Sequence, residues 1–186
     1  MEKIKYLGHI ISYNKIEMEG EKLQAIAALP YPSNVKQIQT FLGLTGYYRK
    51  FIYKYAEITA PLTRLIRQNV KWSWGPEEKR AWDTLISVML EKPILVQPDL
   101  EKEFILDTDA SGVGLGAALL QLHDDGIFRA IAFISRQLTR QEENFSVREL
   151  EGLAIFWGVN KLGDLLRGRH FYIGGGTSLR QIFHLI

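Results

Sequence analysis

Phe104-Ile105-Leu106-Asp107-Thr108-Asp109-Ala110-Ser111 is the stretch that decides the reading of this chain. Phe104-Ile105-Leu106 is an apolar, strand-forming run, followed at once by two aspartates and then by small residues. Residues two apart in a strand project from one face, so Asp107 and Asp109 are expected to share a side near the strand's end. A carboxylate there, next to Ala110, Ser111 and Gly112, has the chemistry of a hard-cation site with room for a phosphate. The same residues also read as a strand that simply ends in a turn.

Downstream, Gly112, Gly114 and Gly116 punctuate a turn into a second strand over 117–121, and His123-Asp124-Asp125-Gly126 is a loop before a third strand over 128–135. Ser146-x-x-Glu149 is a capping box that opens a long helix to about Leu166. Gly168 closes that helix, and His170-Phe171-Tyr172-Ile173 is a fourth strand ahead of Gly174-Gly175-Gly176. The order β-β-β-α-β predicts an α/β layer with a mixed sheet. Glu149 is taken up by the helix start. Glu151 has Ala154, Ile155 and Gly158 at i+3, i+4 and i+7. It is therefore expected on or beside the buried face, where a charge calls for a partner or a metal.

Upstream, residues 4–18 read as a hairpin, with Ile4, Tyr6, Ile10 and Ile16 as strand formers and Asn14-Lys15 as its turn. His9, after Gly8, reads as a structural hydrogen-bonding group. Pro30-Tyr31-Pro32 breaks the chain. Asn34 then caps a helix, with Gln37 at the capping-box position and Val35, Ile38, Phe41 and Leu42 at helical spacing. Gly43-Leu44-Thr45-Gly46 ends or bends that helix. Further helical stretches are expected from Tyr47 to Ile52, from Pro61 through Ile66, and from Pro76 with Ala81, Trp82, Leu85 and Met89 as the apolar stripe. Trp72 and Trp74 are assigned to the core. Pro93 and Pro98 end this helical region.

The chain has 186 residues, 46% hydrophobic and 24% charged, which excludes disordered and collagen-like classes and suits one or two domains. Its longest apolar runs fall short of the roughly 20 residues of a membrane helix, and Met1-Glu2-Lys3-Ile4-Lys5 lacks the apolar stretch of a signal peptide. With no Cys there is no disulfide framework, thiolate metal site or Cys nucleophile, and a reducing intracellular compartment is permitted. Net charge is only +2, but residues 33–72 carry seven bases (Lys36, Arg49, Lys50, Lys54, Arg64, Arg67, Lys71) against the single acid Glu57. Residues 101–186 carry nine bases and eleven acids. This asymmetry predicts two units with different jobs. The aromatic-basic stretch Tyr47-Tyr48-Arg49-Lys50-Phe51-Ile52-Tyr53-Lys54-Tyr55 predicts a surface that follows phosphates. Its other reading is an amphipathic helix with its aromatics in the core.

Five segments, in order, give a resemblance to the Pol polyproteins of gypsy-type LTR retrotransposons. Tyr6-Leu7-Gly8-His9-Ile10-Ile11-Ser12 resembles the hairpin that ends the reverse transcriptase palm and grips the primer end. Pro30-x-Pro32 with Phe41-Leu42-Gly43-Leu44-Thr45-Gly46-Tyr47-Tyr48-Arg49-Lys50-Phe51-Ile52 resembles the thumb. Pro61-Leu62-Thr63 and Trp72-x-Trp74 resemble the connection. Phe104 to Ser111 resembles the opening strand of a ribonuclease H domain, and Arg148-Glu149-Leu150-Glu151-Gly152-Leu153-Ala154-Ile155 its central helix.

The resemblance implies three regions. These are the end of a palm over 1–29, a helical thumb and connection over 30–98, and over 99–186 an RNase H-like mixed sheet with a central helix, C-terminally incomplete. It implies two Mg²⁺ ions, with Mn²⁺ as a substitute, held by Asp109 and Glu151, and hydrolysis of the RNA strand of an RNA–DNA hybrid. It further implies contacts to a hybrid or template–primer duplex through Tyr6, Gly8, His9, Lys36, Gly43, Gly46, Arg49, Lys50 and Lys54. The remainder of the polyprotein is an expected partner, no membrane is involved, and cytoplasmic particles and the nucleus are the expected locations. Three departures bear on activity. The family's third acid, in a Thr-Asp-His tripeptide, falls where this chain reads Gly174-Gly175-Gly176. A fourth ligand position lies beyond Ile186, and the paired polymerase aspartates lie before Met1. The chain is therefore expected to be inactive by itself, as a polymerase–nuclease fragment or as a catalytically dead nucleic-acid-binding remnant or host-adopted copy.

Overall fold

The computed structural model describes residues 3–175. Its first sheet consists of β1 (Ile4–Tyr6), β2 (His9–Ser12), β3 (Lys15–Met18) and β4 (Leu95–Val96), antiparallel and in that order. The single hairpin expected over 4–18 is thus a meander with two tight turns. Leu7 and Gly8 form the first, at φ 45° and 79°, and Asn14, at φ 58°, closes the second. That second turn is Tyr13-Asn14, one residue earlier than expected, because Lys15 already pairs with Ser12. Gly8 is required twice over. Its φ is positive, and a Cβ there would come within 2.9 Å of the Tyr48 hydroxyl.

Helix α1 (Gly20–Ala27), absent from the sequence reading, packs Leu23 and Ile26 inward. In α2 (Val35–Gly46) the Asn34 side chain accepts from the Gln37 N–H at 3.0 Å, as expected, while Gln37 Oε1 accepts from the Ser33 N–H at 2.7 Å. The helical stretch expected from Tyr47 to Ile52 is a single 3₁₀ turn at Arg49–Phe51. Then follow α3 (Tyr55–Ile58), α4 (Ala60–Leu65), which has Pro61 in its first turn, and α5 (Pro76–Leu90). The expected stripe of α5 is buried, and Trp82 stacks on Phe41 with ring centroids 3.6 Å apart. Trp74 meets Trp82 edge-on and stacks with Trp72, consistent with a core role for both.

The second sheet holds β5 (Phe104–Ala110), β6 (Gly114–Leu122), β7 (Phe128–Gln137) and β8 (Phe171–Gly175) in the order β7-β6-β5-β8. Only the β5–β8 pair is parallel, so the mixed sheet is as expected. The crossover that a parallel pair requires runs through α6 (Val147–Lys161) and α7 (Gly163–Leu166). The one long helix expected to about Leu166 is interrupted at Leu162, which leaves helical geometry at φ −103°, ψ 12°. The Ser146–Glu149 capping box forms in both directions.

Both faces of this sheet are covered. Ala118 and Leu120 of β6 and Ala130 and Phe133 of β7 join the core that also contains Phe41, Trp82 and Leu85. On the other face Leu106, Ala117 and Leu119 pack with Leu162 and Leu166. Helix α6 approaches closely at Gly158, where a Cβ would stand 3.3 Å from the Ala117 methyl and 3.6 Å from Leu106.

The entry to α6 is fixed by a charged clamp. Arg136 donates to both oxygens of Glu142, at 2.6 and 2.8 Å, and Glu142 also accepts from the Thr139 N–H at 2.8 Å. The Arg136 guanidinium, with the Thr139 amide behind it, pulls the Glu142 carboxyl down to about 2. A depressed carboxyl contributes its full stability above the ordinary Glu value of about 4.3 and loses it as pH falls from there toward the folded-state value. Urea unfolding should therefore show stability declining between about pH 5 and pH 2, with a shallower decline in Glu142→Gln. Equal slopes would mean that the clamp contributes nothing to acid sensitivity.

Candidate nucleic-acid interface and carboxylate cleft

The β1–β2 turn is held against α2 by aromatic side chains. Tyr47 donates its hydroxyl to the Leu7 carbonyl, and Tyr48 donates to the Gly8 carbonyl at 3.3 Å. The His9 ring is buried and packs on Tyr47, Tyr48 and Phe51. Burial first, and the Lys50 charge second, push its pKa below the usual value, so the ring holds this turn in its neutral form. Between turn, α1 and α2 opens a cavity of about 720 Å³, lined among others by Leu7, Lys22, Ile26, Gly43, Leu44 and Tyr47. Tyr6, Leu7, Leu44 and Tyr47 are all exposed. Gly43 is exposed within the helix, with no atom within 4 Å of where its Cβ would be.

The residues expected at nucleic acid therefore separate. Tyr6, Lys36, Gly43 and Lys50 lie exposed, whereas Gly8 and His9 are buried in the turn and Gly46 is half-buried at the end of α2. Arg49 is exposed and Lys54 half-buried, and both are engaged with other segments of the chain. Arg49 donates to the Ser135 carbonyl of β7, and Lys54 pairs with Asp109. The cause is local. The chain forms one tight turn at 49–51 and takes a left-handed conformation at Lys54, φ 54°, where an uninterrupted helix would have carried these bases along its outer side. Leu7, Lys22 and Leu44 were not singled out for this surface, and Tyr47 entered only as the start of the aromatic-basic stretch. The latter two lie one and four residues beyond Gly43, off the buried Ile38–Phe41–Thr45 stripe of α2.

The carboxylates occupy a second place. Asp109 and Glu151 line one cleft of about 200 Å³, together with Thr108, Ala110, Ala154 and Gly175. They reach it from different sides of the sheet. Asp109 is paired across the ladder with Gly116 and so shares its face, and the stem of Lys54 lies over that face, 3.8 Å from where a Gly116 Cβ would be. Glu151 comes from α6, on the opposite face. It is exposed rather than buried, because α6 seats on the sheet through Leu150, Ala154 and Gly158 and Glu151 is one position round from that stripe. Asp107, on the face of Asp109, is buried.

By donor type the cleft suits a hard divalent ion. By charge it does not make the two-ion site that the resemblance implies. Asp109 is already ion-paired with Lys54, and no group of three or more His, Cys, Asp or Glu side chains is placed to hold a metal among the described residues. Of the triple glycine, Gly174 and Gly175 form the end of β8, with Gly175 on the cleft. Gly176 lies outside the described residues. No helix among the described residues is long and apolar enough to cross a membrane.

Comparison with known proteins gives three concordant likenesses. Residues 74–173 match a family model described as an RNase H-like domain found in reverse transcriptase. The chain is 42% identical over 184 residues to the retrovirus-related Pol polyprotein from transposon 297 of Drosophila melanogaster, covering 98% of this chain and 17% of that protein. It is 33% identical over 153 residues to the transposon Tf2-3 polyprotein of Schizosaccharomyces pombe, covering 82% of this chain and 12% of that protein. The chain thus spans less than a fifth of these relatives. Among solved structures, it is similar to a foamy viral protease-reverse transcriptase in complex with RNA/DNA hybrid, with TM-score 0.76, 23% identity and coverage of 94% of this chain and 24% of that one. The corresponding complex with dsDNA gives TM-score 0.78 at 22% identity, covering 99% of this chain and 39% of that one. At such identities the structural likeness establishes fold alone.

Proposed function

Because this chain belongs to the RNase H-like domains found in reverse transcriptase, we propose that it is a duplex-binding piece of a retrotransposon Pol polyprotein. It would hold an RNA–DNA hybrid or a template–primer duplex against the β1–β2 turn and α2. The observation that carries this reading is the bare face of α2 at Gly43. The helix backbone is uncovered there, exposed Leu7, Leu44 and Tyr47 line the same cavity with Lys22, exposed Lys36 stands two turns earlier on α2, and Lys50 is exposed in the 3₁₀ turn that follows the helix. A backbone without a side chain permits close approach of a groove wall, and lysines around it supply phosphate contacts that position a duplex without reading its sequence. The remainder of the polyprotein is the natural partner, in cytoplasmic particles and then the nucleus. Replacing Lys36 and Lys50 with Ala should weaken hybrid binding, followed by fluorescence anisotropy. The dependence of log affinity on log salt should become shallower by about 1 for each phosphate that the variant no longer neutralises. An unchanged salt slope would remove this surface from the proposal.

In this reading the chain binds without cutting, since hydrolysis requires a complete carboxylate set and Asp109 is held by Lys54. A second reading, residual RNA-strand hydrolysis with Mg²⁺ or Mn²⁺, is favoured by one observation, that Asp109 and Glu151 line the same cleft. A labelled RNA–DNA hybrid incubated with either ion separates the two. Binding without cleavage supports the first, and cleavage that disappears in Asp109→Asn supports the second.

A further inference from the structure

We propose that Lys54 is a tethered cation that occupies the place of a divalent ion at Asp109 and thereby keeps such ions out of the cleft. Four observations bear on it. The Lys54 ammonium is ion-paired with Asp109 Oδ2, and both side chains are largely withdrawn from solvent, at 22% and 13% exposure. Lys54 holds this position from a left-handed backbone, φ 54° and ψ 32°, which L residues rarely adopt. Its stem is laid over β6 at Gly116, directly beside Asp109 in the ladder, and its ammonium stands 5.7 Å from the Tyr53 ring. Finally, an alternative anchor is in place. Glu57 lies 3.7 Å from the same ammonium and accepts from the Ser111 hydroxyl at 3.3 Å.

The electrostatics follow directly. A divalent ion coordinated by Asp109 would meet a unit positive charge at contact distance of the same carboxylate, and like charges at such range oppose each other strongly even at an effective dielectric near 20. The ion can enter only when Lys54 retreats, and Glu57 is the carboxylate to which it can go. Asp109 of this chain is therefore already partnered by a cation, one that arrives from the segment between α2 and α3 and not from the sheet.

The test uses the full chain and Mn²⁺ alone, with free ion measured by electron paramagnetic resonance and fold monitored by circular dichroism. Lys54→Met keeps the length of the stem and removes the charge, and should bind Mn²⁺ about ten times more tightly than the unaltered chain. Lys54→Arg keeps the charge and should stay close to the unaltered chain. The gain in Lys54→Met should vanish in Lys54→Met/Asp109→Asn. Equal affinity in Lys54→Met and the unaltered chain would overturn the proposal. So would a gain that survives Asp109→Asn, because the ion would then sit elsewhere, and so would absence of binding in every variant. None of these outcomes touches duplex binding at the α2 face, which is measured separately.

Discussion

Replacing Gly175 with Asp should give a chain that binds Mn²⁺ at least about tenfold more tightly than the unaltered one, since affinity for hard cations rises with the number of charged oxygen ligands. Gly175 ends β8, lines the cleft with Asp109 and Glu151, and has open space where its Cβ would be. It stands opposite Thr108 in the parallel ladder, with Gly174 opposite Asp107, so a side chain there leaves from the α6 face, the side from which Glu151 comes. A third carboxylate would thus join the two already present, with open space at its Cβ among the described residues. Titration calorimetry with Mn²⁺ measures the change, and Gly175→Asn, of the same shape but uncharged, should show little of it. If the Asp variant binds no better than the Asn variant, the cleft is not a cation site in this chain.

Phe41→Ala should destabilise the chain by about 3–5 kcal/mol, the range for truncating a buried aromatic. Phe41 is 1% exposed and stacks on Trp82, and the core around it extends to Leu120 and Phe133 of the second sheet. The loss should therefore not be confined to the helices. Urea unfolding followed by tryptophan fluorescence and by far-ultraviolet circular dichroism should give one coincident transition in the unaltered chain, and in Phe41→Ala the same transition at lower denaturant. Of the four tryptophans, Trp72, Trp74 and Trp82 report on the helical region and Trp157 on α6. Separated transitions would refute a shared core.

The second sheet was legible because its signals are local. Strand β5 is an apolar run ending in aspartates, glycines precede and enter β6, and the Ser146–Glu149 box fixes the start of α6 within one turn of chain. The first sheet was legible only in part, since β4 has just two residues and pairs with a strand some eighty positions earlier. Helix α1 was missed for a physical reason: Glu19 makes no side-chain cap, and only two of its eight residues are buried. For the candidate site, the sequence marked Asp109 and Glu151 but not their relation across the sheet, nor the turning of Lys54 toward β5 and of Arg49 toward β7. Those are contacts between residues 55 to 86 positions apart, and composition and spacing carry no information about them.

The covering of the second sheet on both faces has a consequence for how this molecule can be divided. The change of pattern at Pro98 marks a change of topology, but it is not a seam. A piece beginning at residue 99 would carry Ala118, Leu120, Ala130 and Phe133 as a bare apolar wall, and a piece ending there would leave the other side of the same contact open. Each half is the other's missing solvent shield. The smallest portion that keeps this sheet soluble therefore begins well before the sheet itself, with the helices that close over its back.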